Sequence, residues 1–399
     1  AYPVGGFEEP LGIVLELNRG GWTAAATLFI LASAVWLFAL GSRETGAFFL
    51  SILSLMLFSL MGIICTRDLF NLFVFFEILS LCSLLFISHD RSRESLLAAL
   101  RYLLISSVSI FIYLIAVWMI YRRSGALSFA SVGTQGEGLA HAVAIAALYA
   151  GILTRTAVLP FHSWLPRAHA AAPHSASALL SGFVVTAPVL ALLHIDALSP
   201  YPHMGGLLIP LGLVTAAAGS LLALLEHDAK RVLAFFTISH MGLVVAAFAV
   251  DTAGAETAVL YGLTGHALYK GLLFLTVGEV THREGCRDIR RLRGLQRRYP
   301  LYGLLFLLGA LGHLGLPPFA GYEGKKLISE ALAAHPLSPL ITIAGFFGAA
   351  ALLRLALIFT GRPQSEGRGK GLAAGGLFSA AGLGLLGISS IAFGLFAGP

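Results

Sequence analysis

Apolar runs of about 20 residues recur along this chain from residue 21 to residue 397, separated by short polar segments. Each is long enough to cross roughly 30 Å of hydrocarbon as a helix. Twelve are predicted, at about 21–40, 46–65, 69–88, 96–120, 138–159, 174–194, 205–225, 231–250, 256–278, 301–334 with a break, 338–360 and 372–397. The fold class that follows is an all-α polytopic membrane protein, because a spanning backbone must satisfy its polar groups internally.

Two segments interrupt the pattern. Leu153–Gly182, LTRTAVLPFHSWLPRAHAAAPHSASALLSG, carries Arg155 in an apolar run, is broken by Pro160, Pro166 and Pro173, and crosses His162, Arg167, His169 and His174. Proline removes a backbone donor and frees a carbonyl, which in hydrocarbon must find other partners. A charge at membrane depth costs at least about 2.5 kcal/mol on insertion scales, so it is read as functional. The second segment, LYGLLFLLGALGHLGLPPFAGYEGKKLISEAL, is broken at Pro317–Pro318; His313 precedes the break, and Glu323, Lys325, Lys326 and Glu330 follow it.

The interruptions occupy corresponding places. When helices two to six (46–194) are set beside helices seven to eleven (205–360), the fourth member is the broken one in each, with breaks near 155–173 and 313–330. Five is odd, so the second set inserts upside down relative to the first. Inverted repeats with matching interruptions point to a membrane transport site. Outside them lie an N-terminal link and first helix (1–45) and a C-terminal helix (372–397). The first twenty residues read as an extracytoplasmic link that should follow upstream helices.

Charge adds orientation. Only 12% of residues are charged, about half the share in a soluble protein, and 57% are hydrophobic. The odd-numbered loops hold 16 cations: Arg43, Arg91, Arg93, Arg167, Lys230, Arg231, seven arginines between Arg283 and Arg298, and Arg362, Arg368 and Lys370. The even-numbered loops hold three, Arg67, Arg122 and Arg123. The net charge of +6 is therefore a topological signal rather than a nucleic-acid one; it places the odd loops in the cytoplasm and both termini of the sequence outside. The arginine-rich loop at 283–298 is either a docking surface for another subunit or simply this orientation signal. Cys65, Cys82 and Cys286 lie far apart with no CxxC, so buried thiols are expected rather than metal ligands. No phosphate loop, haem-attachment motif or soluble domain is present, and no redox chemistry is expected in this chain.

A few polar residues then stand out. Glu77 lies nine residues into the third helix, roughly 13 Å deep at 1.5 Å per residue, with Asp68 at that helix's mouth. It is either a proton-exchanging carboxyl or one partner of a buried structural pair. His266 and Lys270, four residues apart, share one face of the ninth helix. The chain has five lysines against 21 arginines, and Lys270, Lys325 and Lys326 lie in apolar segments. Lysine can release its proton when buried and arginine does not, so lysine suits a proton carrier. His162, His169, His174, His240 and His313, with Asp68, are candidate relay groups.

DLFNLFVFFEILSL, PFHSWLPRAHAAAP, DAKRVLAFFTISHMG, GHALYKGLLFL and GLPPFAGYEGK occur in this order across nearly the whole chain. Together they resemble the antiporter-like membrane subunits shared by complex I, Mrp-type Na+/H+ antiporters and membrane-bound NiFe hydrogenase or formate hydrogenlyase complexes. WLPRAH followed by AAPHSASALLSG looks most like the hydrogenase-type branch. The resemblance implies a family fold of about fourteen helices, two of them upstream of Ala1. By motif it makes Glu77 the carboxylate of the first half-channel and places Arg155 where the family has the lysine of the first broken helix. It matches His266 and Lys270 to the connecting relay and Lys325 to the terminal lysine or glutamate of the second broken helix. A further family lysine is Thr186 here. Arginine cannot cycle its proton as lysine does, so Arg155 is expected to be a fixed counter-charge to Glu77, leaving the first half-channel weakened, silent or gated only through Glu77.

The expected function is translocation of H+ or Na+ by one membrane subunit of a redox-driven complex in the prokaryotic cytoplasmic membrane. Its partners would be the bilayer and other membrane subunits, with iron–sulfur and NiFe or flavin centres only in partner subunits and no cofactor in this chain. The alternatives are a subunit of a Mrp-type secondary antiporter and a transport-silent scaffold for a peripheral redox arm.

Overall fold

The computed structural model describes residues 1–399 apart from 8, 10, 11, 42–45, 136, 137, 199–203, 253, 362–375 and 397–399. Arg43, Arg362, Arg368 and Lys370, counted above among the loop cations, lie outside the described residues. Eleven described segments are long and apolar enough to cross a membrane, and the interrupted pair at 300–332 accounts for the twelfth predicted run.

After a two-stranded ribbon, β1 (Tyr2–Pro3) paired with β2 (Val14–Leu15), come α1 (Arg19–Gly41), α2 (Ala47–Cys65), α3 (Leu69–Ile87) and α4 (Arg93–Ser124). The first broken helix is α5 (Leu139–Leu153) followed by α6 (Trp164–Ala171). One span is then built from α7 (His174–Leu179), a π-turn at Leu180–Val184 and α8 (Ala187–Leu198). The second half contains α9 (Gly205–Leu225), α10 (Ala229–Phe248), α11 (Ala255–Glu284), the broken pair α12 (Pro300–Leu314) and α13 (Gly321–Leu332), and α14 (Pro339–Ala356). The last helix is α15 (Gly376–Phe396).

Local chemistry explains several boundaries. The fourth helix begins at Arg93, earlier than its apolar run, because the Ser92 hydroxyl caps it by accepting from Ser95 N–H at 3.2 Å. It ends at left-handed Gly125. Asp68 and Asp228 cap α3 and α10 in the same manner.

The loops gather on two faces. On one, Arg287 donates to the Ala170 carbonyl at 2.5 Å, Gly294 N–H to Thr360 O at 2.8 Å, and Arg354 to Leu224 O and, at 2.7 Å, to His227 Nδ1. On the other, Leu15 bridges Thr66, Asp68 bridges Ser128, and Arg67 is buried in an ion pair with Glu16 at 3.4 Å. Of the loops predicted to be cation-rich, those described at 88–93, 167, 230–231 and 283–298 share the first face, with Asp90, Arg167, Arg231 and Arg287 around one cavity.

The core is organised on α11, which packs against α1, α7, α10, α12, α13 and α15. Its residues from Gly262 to Thr281 are buried without a gap. Two glycines allow that density: Gly265 lies where a side chain would strike the Ala320 carbonyl, and Gly324 where one would strike the backbone of Gly262.

Candidate functional site

Among the described residues, two buried polar groups, one in each half, gather most of the residues singled out from the sequence. In the first, the 3-10 turn ending α5 aims Arg155 at α3 and α4. Its Nε donates to Ser109 Oγ at 3.1 Å, one terminal nitrogen to Ser80 Oγ at 2.6 Å, and the other to Glu77 Oε1 at 3.3 Å. The guanidinium also sits 5.0 Å from the centre of the Phe76 ring. Ser109 in turn donates to the Gly151 carbonyl at 2.6 Å, and Ser80 lies 3.0 Å from Ser106. Arg155 is 9% exposed whereas Glu77 is 40% exposed, on the stripe of α3 that also presents Phe70, Val74, Leu81 and Leu85 outward.

Thr186 adds no titratable group here. It is buried, and its hydroxyl caps the π-turn through the carbonyls of Gly182 (2.9 Å) and Phe183 (3.1 Å).

The second group is larger. Lys270, fully buried on α11, donates to the Leu233 carbonyl at 2.7 Å and lies 5.3 Å and 5.9 Å from the ring centres of Phe236 and Phe274. His169 stacks on the far side of this arrangement, its ring 4.6 Å from Phe274. Towards the second break, His240 and His266 stack at 4.5 Å. Tyr269 joins them, its hydroxyl 3.2 Å from His266 Nδ1 and 3.4 Å from His240 Nδ1. His313 packs its ring 4.4 Å from Phe236 and 5.6 Å from Tyr269. Lys325, on α13 beyond the break, donates to the His313 carbonyl. A cavity of about 150 Å³ opens between them, with Ser239, His240, His313, Lys325 and Ser329 among its lining residues.

The structure therefore brings together His240, His266, Lys270, His313 and Lys325, with His169 at one end, and separately pairs Glu77 with Arg155. His174 belongs to neither group: its Nε2 lies 3.0 Å from Glu279 Oε2, and Arg283 Nε donates to the same carboxylate at 2.6 Å. His162 is half-buried on the loop after the first break. Asp68 works as a helix cap, accepting from Asn71 N–H at 2.7 Å, and partial burial pushes its carboxyl up against the pull of those amides.

Two lysines differ from the sequence reading. Lys326 is 41% exposed and paired with Glu323 at 3.7 Å, because it falls on the outer face of the amphipathic α13. Lys230, read as a loop cation, is buried and donates to the Ala172 carbonyl at 2.8 Å. Sequence reasoning also passed over Glu279, Tyr269 and the serines around Arg155. Glu279 carried a signal, a carboxylate nine residues after Lys270 in an unbroken helix; the serines carried none.

The chain can be compared with known proteins at this point. A family described as NADH:quinone oxidoreductase/Mrp antiporter, TM matches residues 66–351. Hydrogenase-4 component B of Escherichia coli (strain K12) is 31% identical over 339 residues, covering 77% of this chain and 50% of that protein. NADH-quinone oxidoreductase subunit N of Desulforudis audaxviator (strain MP104C) is 32% identical over 342 residues, covering 81% and 67%. A chain of the Mrp complex from Dietzia sp. DQ12-45-1b superposes with a TM-score of 0.92, covering 99% of this chain and 84% of that one; at 24% identity this is a likeness of fold. The chain thus spans half to two-thirds of the length of these curated relatives.

Proposed function

The chain belongs to the NADH:quinone oxidoreductase/Mrp antiporter family, and from that premise we propose that it is an ion-translocating membrane subunit of a redox-driven complex. H+, or Na+, moves along its buried titratable row, while electron transfer takes place at iron–sulfur, NiFe or flavin centres of partner subunits. The observation that carries this reading is the row itself: His266, Tyr269, His240, His313 and Lys325 are linked by ring contacts and hydrogen bonds, and Lys270 meets them across the Phe236 ring. Filling a membrane requires none of these residues, and burying them without function would be costly. Lys270 and Lys325 are the principal carriers, with His169 and His240 as relays. Glu77 and Arg155 form a held charge pair in the first half.

The exposed flank of Glu77 supports a lateral contact with another membrane subunit, since a carboxylate facing lipid tails is unfavourable. The cation-rich loop face is assigned to the cytoplasmic side of a prokaryotic inner membrane.

A second reading, a subunit of a Mrp-type antiporter with no redox partner, draws equal support from the family match, whose description covers both kinds of protein. Purification from native membranes separates the two. Co-isolation with iron–sulfur or NiFe subunits supports the first, and isolation with Mrp-type subunits alone supports the second. Replacing Lys270 or Lys325 with Met tests both against a silent scaffold, which would be indifferent to either change.

A further inference from the structure

The two halves build one cage from different residues. α3 and α10 start from the same device, with Asp68 accepting from Asn71 N–H at 2.7 Å and Asp228 from Arg231 N–H at 3.0 Å. Beside the first cap, Leu69 N–H donates to Leu127 O and Phe129 N–H to Arg67 O, both at 2.8 Å. Beside the second, Ala229 N–H donates to Arg287 O at 2.9 Å and Ile289 N–H to His227 O at 3.0 Å. α4 and α11 both end at a left-handed glycine, Gly125 and Gly285. α5 and α12 both run into a left-handed residue, Ala157 and Gly315, at the same spacing before Pro160 and Pro318.

Counted from these landmarks, Phe76 falls on Phe236, Ser80 on His240, Ser109 on Tyr269 and Arg155 on His313. The contacts follow the count. Arg155 lies over Phe76 and bonds Ser80 and Ser109. His313 lies against Phe236 and Tyr269 and shares a cavity wall with His240. Glu77 falls on Thr237, whose hydroxyl engages Ser181 at 2.8 Å and the Leu233 carbonyl at 3.2 Å.

We propose that His313 is a proton carrier of the second half, standing in the place where the first half holds a permanent charge. The inference rests on the translocation reading above and gives one residue of its row a carrier's role and a step. His313 is 7% exposed, its Nδ1 has no hydrogen-bond partner, and it lines the 150 Å³ cavity together with Lys325. That cavity has polar groups on an otherwise apolar wall and is roomy enough for several waters. In the step, an N–H bond of the Lys325 ammonium breaks, a water passes the proton on, and an N–H bond forms at the ring nitrogen of His313 that carries no proton. Lys325 becomes a neutral amine and His313 a cation. The titratable groups facing His313 are His240 from α10, His266, Tyr269 and Lys270 from α11, and Lys325 from α13; α14 contributes the apolar Ile341 and Ala344 to the cavity wall. Because these neighbours are cationic or neutral, a proton on His313 is repelled onward rather than held.

The test uses the assembled complex in liposomes, with proton uptake driven by a potassium diffusion potential and read by an internal pH dye. His313→Gln should lower the rate by about tenfold and flatten its pH profile. His313→Arg, whose guanidinium the cavity admits against Phe236, should stop uptake while assembly persists. His313→Asn serves if the Gln variant does not assemble. A wild-type rate, or a reduced rate with an unchanged pH profile, in the His313 variants beside an inactive Lys325→Met overturns the proposal and leaves the translocation reading standing. A Lys325→Met variant at the wild-type rate overturns both.

Discussion

The first half holds its buried cation with side chains, and the second holds its cations with almost none. Each kind of nitrogen of Arg155 has a side-chain acceptor in Ser109, Ser80 or Glu77. Lys270 and Lys325 each rest on a single backbone carbonyl, among aromatic and imidazole rings. A guanidinium bonded on all sides keeps its charge and its place. An ammonium bonded once has fewer partners to lose when it moves or releases its proton. Under the proposed function, the same fold thus carries one locked charge and one mobile row.

The largest expected effect breaks the mobile side. Lys270→Met fills the same volume without a charge, and transport by the reconstituted complex should fall by at least about tenfold with assembly intact, a rise of ~1.4 kcal/mol or more in the barrier. Undiminished transport would show that the second half is as static as the first. Next comes the locked side. Arg155→Met removes the donor shared by Ser80, Ser109 and Glu77, and thermal unfolding in detergent should report about 1–3 kcal/mol of lost stability, reduced at Glu77 by its exposure. Arg155→Lys should keep assembly and alter ion translocation; an unchanged pumping stoichiometry there would rule out a fixed counter-charge. A smaller loss, about 1 kcal/mol, is expected for Glu279→Gln, which weakens the contacts to His174 and Arg283. A lowered melting temperature with transport preserved would keep that cluster structural. The smallest effect sharpens the role of Asp68: Asp68→Asn retains a cap acceptor and should be near neutral in both stability and transport, whereas Asp68→Ala should cost about 1 kcal/mol. Transport lost in the Asn variant would return Asp68 to the ion path.

The spans were legible because a helix crossing hydrocarbon must be long and apolar, and the breaks because proline and charge are costly there. The joining of Lys270 to the second break was less so. α11 is apolar on nearly every face, so its periodicity does not say which way Tyr269 or Glu279 points. Lys230 was misplaced for a related reason. It follows a polar corner in sequence, yet its long stem carries the amine inward to the Ala172 carbonyl of the other half. The serines around Arg155 are ordinary in helical packing, and only the fold shows that they meet one guanidinium. Arg155 itself was readable as unusual from the family motif, and its pairing with Glu77 is a matter of geometry that only the assembled helices supply.

The close seating of α11 has a consequence for what the frame tolerates. Gly265 and Gly324 let its backbone lie directly on that of the segment around Ala320 and on α13, with no side-chain layer between them. A bulkier residue at either position would have to push two backbones apart, so it would shift the frame that seats Lys270 and Lys325 without touching either amine.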